Sequence, residues 1–197
     1  AWSPLNETGV RSKSIGAADV QEHHRGVSDL ARLTRRLDPT RPVNDTSGYI
    51  HAATDLWTVH NYAQDPAKLK ETLTPKEGKP WTNRPDVEVP YAGQPYLVDE
   101  FGGILWVPGD VKPYAANTWG YGRPPQNLEE YYARLEGQVD ALFALPHVQG
   151  YCYTQLTDVE QEQNGIYTYD RRDKFDMKRI SGIFGRTRGA PENPGNP

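Results

Sequence analysis

Apolar β-forming runs alternate with helical stretches along this chain, and that alternation points to a parallel α/β fold. Asp55 to His60, Tyr96-Leu97-Val98 and Val148 to Gln155 are rich in the residues that suit a pleated, half-buried surface. Pro42-Val43-Asn44 reads as a shorter strand, and the opening Trp2 to Leu5 as another, so the chain carries about five strands.

Helical signals fall between most of them. Asp19 to Leu37 carries Val20, Val27, Leu30, Leu33 and Leu37 at spacings that fit one amphipathic helix. Asp38-Pro39-Thr40-Arg41-Pro42 ends it, because each proline disfavours helical geometry in the residue before it. Asp65-Pro66 pairs an N-cap with proline at the first helical position and opens a helix through Leu69 and Leu73. Asn127-Leu128-Glu129-Glu130 resembles a capping box at the head of a helix bearing Tyr131, Leu135, Val139 and Leu142. Asp176 caps a last short helix. Thr74 to Gln94 and Gly102 to Pro125 lack a period and read as long loops. One link is irregular: between Asn44 and Asp55 there is little room for a crossover helix. The expected organisation is one domain over residues 1–186 and a flexible Pro/Gly-rich tail over 187–197.

Bulk properties exclude several classes. A net charge of -4 gives no basic footprint for nucleic acid and no polybasic membrane patch. No apolar run approaches the roughly 20 residues of a membrane span. The single Cys152 excludes an internal disulfide framework, and its mid-strand position predicts a buried small hydrophobe. His23-His24 is expected to be solvated on its helix, since adjacent side chains diverge and chelate poorly. No cofactor and no metal site is expected. The apolar, aromatic opening Ala1-Trp2-Ser3-Pro4-Leu5 has no leader before it, which suggests a fragment of a longer protein. The compartment is open.

In parallel α/β folds and barrels, chemistry gathers at the C-terminal ends of strands. Glu7 follows one expected strand and Glu100 another. Hydrolysis of an acetal with retention needs two carboxyls about 5 to 5.5 Å apart, one to protonate the leaving oxygen and one to attack the anomeric carbon. Separate strands can deliver such a pair.

Trp2-Ser3-Pro4-Leu5-Asn6-Glu7 resembles the Asn-Glu motif of glycoside hydrolase family 2. Tyr96-Leu97-Val98-Asp99-Glu100-Phe101-Gly102-Gly103 resembles the nucleophile motif of the same family. The run from Gly150 to Glu160, with Asn164-Gly165-Ile166 and Tyr169-Asp170-Arg171, resembles the eighth-strand region of β-galactosidase-like members. The similarity extends from Ala1 to about Phe184. It implies a partial (β/α)8 TIM barrel, strands four to eight with their helices, without strands one to three. It further implies Glu7 as acid/base and Glu100 as nucleophile of a retaining β-glycosidase. Asn6 would hydrogen-bond the sugar 2-hydroxyl, and Tyr62 would donate to the nucleophile. His60 is a candidate for a sugar hydroxyl. Trp106, Trp119 and Tyr121 are candidates for stacking on sugar rings. At strand eight, where many relatives place tryptophan, this chain offers Tyr153 and Gln155.

The expected partners are a carbohydrate substrate and either the missing half of the barrel or another copy of the chain. By itself the fragment is expected to be inactive. The sugar follows the eighth-strand resemblance toward β-galactosides. β-Glucuronidases carry an Asn-x-Lys element that Asn164-Gly165-Ile166 does not supply, and β-mannosidase stays open. Two other functions compete: an inactive carbohydrate-binding or scaffold fragment, and a metal-dependent hydrolase. The second would need clustered ligands, and the five histidines are scattered apart from His23-His24.

Overall fold

A computed structural model describes residues 1–9, 16–109 and 117–186. The expected tail over 187–197 lies outside the described residues, apart from the chain leading into it. Three strands, β1 (Trp57–Asn61), β2 (Tyr96–Gly102) and β3 (Val148–Thr154), form a parallel sheet in the order β1-β2-β3. Four helices accompany them: α1 (Ala17–Leu37), α2 (Pro66–Leu73), α3 (Leu128–Phe143) and α4 (Met177–Phe184).

Helix starts follow local chemistry. Asp65 accepts from the amide of Ala67, Asn127 from Glu130 and Asp176 from Lys178, each satisfying amides that lack an intrahelical partner. The Glu130 carboxylate reaches back to the Gln126 amide at 2.8 Å, one residue beyond the reciprocal contact of a capping box.

Five strands were expected and three form among the described residues. The other two segments pair with each other through isolated parallel bridges, Trp2 with Val43 and Asn6 with Ser47. Their amides and carbonyls alternate: Trp2 donates to Pro42, Asn44 to Trp2, Ser47 to Leu5 and Glu7 to Ser47, all at 2.8–3.0 Å. Side chains join this pair to β1. The Thr58 hydroxyl accepts from the Gly48 amide at 2.9 Å and lies 3.2 Å from Asn44 Oδ1. Buried Asn44, Asp45 and Thr46 thus interrupt what would be a backbone ladder.

No helix forms between Asn44 and Asp55. A fully buried Asp45 organises that turn instead, accepting from the amides of Thr46, Ala52 and Ala53 and from His51 Nδ1 at 2.6–2.8 Å. The long loop of residues 74–94 covers the adjacent surface. Val89 donates to the His51 carbonyl, His24 Nε2 donates to the Val87 carbonyl at 2.8 Å, and Tyr91 meets Trp57 edge-on. His24 is therefore half-buried and tied to this loop, and half-buried His23 lies 3.4 Å from the Thr8 hydroxyl, so neither is a freely solvated side chain.

The core lies between one face of the sheet and α2–α3, where Trp57, Val59, Tyr96, Val98 and Phe101 meet Leu69, Leu73, Tyr131, Leu135 and Leu142. Truncating a side chain here, such as Leu135 to Ala, removes about 2–5 kcal/mol. α1 docks differently from its expected face. Val27 and Ala31 are buried, whereas Leu30, Leu33 and Leu37 are 40%, 49% and 78% exposed. On the docked side the Arg35 guanidinium contacts Asp55 and the Ala53 carbonyl. Cys152 is also exposed, because it points to the sheet face opposite Tyr151 and Tyr153, which pack against Phe101, Phe143 and Phe184.

Candidate active site

The C-terminal ends of β1 and β2 and the bridge segment ending at Glu7 converge on one side of the sheet. A register shift is central to this. Val59 pairs with Val98, but the next residue, His60, pairs with Glu100. Asp99 is the extra residue, and such a bulge re-aims the side chains around it. Asp99 and Glu100 thereby both reach His60.

His60 is enclosed, with 2% of its side chain exposed. Its Nδ1 lies 2.8 Å from Glu7 Oε1 and 3.2 Å from Glu100 Oε2. Its Nε2 lies 3.0 Å from the Ser47 hydroxyl and 3.4 Å from Asp99 Oδ1. The Ser47 hydroxyl donates to Asp99 Oδ2 at 2.7 Å, and Asn44 Nδ2 reaches the same oxygen at 3.3 Å. Both ring nitrogens therefore face carboxylate or hydroxyl oxygens, an arrangement that favours the doubly protonated imidazolium when those carboxylates are ionised. Burial by itself lowers the His60 pKa, but hydrogen bonds to Asp99 and Glu7 and the nearby carboxylate charges outweigh it and raise the value. Asn83 holds the His60 backbone from outside, accepting from its amide and donating to its carbonyl, each at 3.1 Å. His60 was a candidate for a sugar hydroxyl or for a structural role. Its enclosure and fully engaged nitrogens make it a link between carboxylates.

Glu100 accepts a hydrogen bond from Tyr62, whose hydroxyl also lies 3.2 Å from Thr154 Oγ1. Burial raises the Glu100 pKa, and the Tyr62 hydrogen bond and His60 charge offset this only in part. Tyr62 is raised well above the usual phenol range by burial and by Glu100. Tyr121 stacks flat on Tyr62, centroids 3.6 Å apart, and Trp119 meets Tyr121 edge-on at 5.7 Å. Trp119 is 39% exposed, leaving its ring available to solvent.

Glu7 adopts a left-handed backbone conformation (φ 47°), a strained choice for a residue with a side chain. Asn6 beside it is exposed. One ligand atom each from Glu7, His60 and Glu100 fall within 4.8 Å of one another, which is also spacing for a metal ion. The sequence expectation of no metal cluster overlooked this trio because its members are scattered in the chain. Here His60 Nδ1 is engaged by the carboxylates themselves.

Two further candidates take structural positions. The Tyr153 hydroxyl is shared among the Ile104 amide, the Asn164 carbonyl and the Tyr131 hydroxyl, and burial pushes its pKa up to about 12. Trp106 is half-buried against Tyr131, and its amide donates to the Gln163 carbonyl, which anchors the loop. Neither presents itself to the carboxylates as a sugar-binding side chain. Gln155 donates to Asn164 Oδ1 at 3.0 Å, and Asn164 donates to Glu162 at 3.0 Å. Asp158 is buried in an ion pair with Lys174 at 2.8 Å. A cavity of about 720 Å³ against Trp81, Glu88 and Tyr91 contains neither catalytic candidate. Glu7 and Glu100 face a more open surface, with 39% and 23% of their side chains exposed.

Sequence reasoning missed Ser47, Tyr49 and Asp99. Asp99 adjoins Glu100, and Ser47-Gly48-Tyr49 follows an expected strand, so position alone was the available signal.

No protein-family model matches the sequence, and no curated protein matches it. Solved structures do. A GH2 β-galacturonidase from Eisenbergiella tayi bound to glycerol aligns at a TM-score of 0.59 and 16% identity, covering 95% of this chain and 33% of that one. The β-D-glucuronidase of Dictyoglomus thermophilum aligns at 0.58 and 18%, covering 95% and 32%. The Bifidobacterium dentium β-glucuronidase complexed with coumarin-3-O-glucuronide aligns at 0.59 and 16%, covering 96% and 31%. The chain spans about a third of the length of the solved structures it matches. Its mixed α/β architecture around a small parallel sheet is thus the fold of one third of a GH2 glycosidase chain.

Proposed function

We propose that this chain is the C-terminal half of the catalytic barrel of a retaining β-glycosidase, contributing strands four to eight. The observation that carries the reading is the approach of Glu7 and Glu100, with Tyr62 donating to Glu100. One oxygen from each carboxylate lies within 4.8 Å of the other, which is compatible with the roughly 5–5.5 Å carboxyl separation of a double-displacement site. A single-displacement site would hold the groups about 6.5–9.5 Å apart to admit a water. The parallel succession of residues 2–7 and 42–47, then β1, β2 and β3, supports the strand assignment.

In this mechanism a Glu100 oxygen bonds to the anomeric carbon as the bond to the leaving oxygen breaks. Glu7 delivers its proton to that oxygen. Glu7, now a carboxylate, takes a proton from water, whose oxygen displaces Glu100 and regenerates the site. Asn6 would hydrogen-bond the 2-hydroxyl as charge builds on the ring. His60 supplies positive charge beside Glu100, which favours the ionised nucleophile against its burial. Trp119 offers an exposed ring to a sugar face.

A terminal β-galactoside is the substrate favoured by the eighth-strand resemblance. Because the similar solved structures include β-glucuronidases and a β-galacturonidase, the test is a panel. The complete protein containing this chain is assayed on aryl β-galactoside, β-glucuronide, β-galacturonide and β-mannoside, with the first-formed product anomer read by proton NMR. A β-product supports retention. An α-product would mean inversion and overturn the retaining mechanism, whereas turnover of none of the four overturns the enzyme reading and leaves a sugar-binding or scaffold role. The metal-capable trio favours a second reading, a metal-assisted hydrolase. Activity that survives exhaustive chelation rejects it.

A further inference from the structure

Tyr49 stands beside the carboxylate pair and has no part in the mechanism above. It is half-buried and held at φ 63°, directly after Gly48 at φ 62°. Two consecutive left-handed residues are unusual, and for a bulky aromatic the conformation is a clear outlier. The surroundings enforce it. Gly48 lies so close to the His60 ring that an added Cβ would sit 2.5 Å from Cδ2. The Gly48 amide is held by Thr58. The Tyr49 ring then meets His60 edge-on, centroids 5.9 Å apart at 81°. His60 in turn touches Glu7.

The turn belongs to the Glu7 side of the site. Ser47, two residues earlier, bridges Asn6 and accepts from the Glu7 amide at 3.0 Å. The other aromatic group, Tyr62, Tyr121 and Trp119, is built against Glu100. Tyr49 thus sits on the turn whose backbone pairs with the Glu7 segment, whereas Tyr62 donates directly to Glu100. In a double displacement the sugar being transferred bonds to the nucleophile, and the departing group leaves past the acid. A ring beside the acid meets the departing group.

We infer that Tyr49 is a leaving-group platform that selects aglycones bearing a ring, either a second sugar or an aryl group. The inference rests on the glycosidase reading with Glu7 as acid. Its phenol titrates above the ordinary range, through burial first and then the charges of Glu7 and Glu100, which keeps it a neutral hydrogen-bonding surface at working pH. Sugar C–H faces and aryl rings both pack on such a ring.

The test uses the complete protein and two substrates of the sugar that the panel identifies: the aryl glycoside and the glycosyl fluoride, whose leaving group is too small to reach a platform. Tyr49→Asn removes the ring and suits a left-handed backbone. It should lower the ratio of kcat/KM for aryl glycoside over fluoride by ~10-fold, the scale of one lost pocket contact. Tyr49→Trp should keep or raise that ratio. An equal loss on both substrates, or no change in the ratio, overturns the platform. Should the Asn variant not fold, Tyr49→Gly, which also suits the left-handed backbone, takes its place, and a ratio unchanged from the wild type overturns the proposal. Glu7→Ala is run alongside. If it does not slow an unactivated aryl glycoside, whose phenol is a poor leaving group, more than the fluoride, the acid assignment fails, and that failure is separate from the platform's.

Discussion

His60 Nδ1 lies 2.8 Å from Glu7 Oε1 and also within 3.2 Å of Glu100, so one imidazole edge spans the two carboxylates proposed to do the chemistry. Three carboxyls, counting Asp99, surround a single buried cation. For Glu100 that charge lowers a pKa which burial raises.

His60→Gln removes the cation and keeps a side chain that can hydrogen-bond. Glu100 is already raised by burial, and without the imidazolium it should rise further. The acidic limb of kcat/KM against pH is therefore expected to move to higher pH in the variant. The wild-type sign also follows. Because the folded His60 pKa is raised above 6.5, its stabilising contribution is fully present below pH 6.5 and lost as pH rises through the folded value. An unchanged acidic limb would show that His60 does not control Glu100.

Replacing Glu100 with Gln should abolish turnover, since an amide cannot form the glycosyl ester. Glu7→Ala should slow substrates with poor leaving groups by ~100-fold or more, the scale of general acid catalysis, and activated aryl glycosides far less. Steady-state kinetics with leaving groups of graded pKa read both effects. Near-normal rates in both variants would remove the assignment.

Asp45→Asn should be strongly destabilising although it lies outside the proposed chemistry. Its carboxylate is fully buried and accepts from three amides and His51. Breaking such a buried charged network typically costs about 3 kcal/mol or more. Burial raises the Asp45 pKa, but the His51 and backbone hydrogen bonds outweigh it and hold the value below 3.8. Its contribution is thus present above pH 3.8 and lost as pH falls through the lower folded value. Chemical denaturation of both forms at neutral pH measures the difference. A loss under about 1 kcal/mol, the worth of one ordinary hydrogen bond, would show that the turn is held elsewhere.

The isolated 197-residue chain should self-associate and lack activity. Leu30, Leu33 and Leu37 form an exposed row on α1, and β3 leaves a strand edge beside exposed Cys152. Such surfaces recruit another chain. Size-exclusion chromatography with light scattering should give a mass above 22.2 kDa. In the complete protein, Cys152 should react more slowly with a thiol reagent than in the fragment. An active, well-behaved monomer of the isolated chain would contradict both expectations.

The sequence by itself determined what depends on near neighbours. Asp65, Asn127 and Asp176 cap amides two or three residues onward, so α2, α3 and α4 begin where local chemistry places them. The β-forming runs at Trp57, Tyr96 and Val148 were legible for the same reason. The side of α1 that docks was not, because three leucines outweigh Ala31 in any hydrophobic pattern. The docked side is the one that buries Val27 and Ala31 and brings Arg35 to Asp55, twenty residues away. Thr58 and Asp45 turned an expected strand into a bridge segment by replacing backbone partners with side chains. Glu7 and Glu100 stood out individually by their strand-end positions. Their sharing of His60 across 53 residues of sequence, and the pinning of Tyr49 against that ring, arose only in the tertiary structure. A side chain's periodicity records its neighbours along the chain, whereas its ionisation and contacts are set by whatever folding brings within a few ångströms.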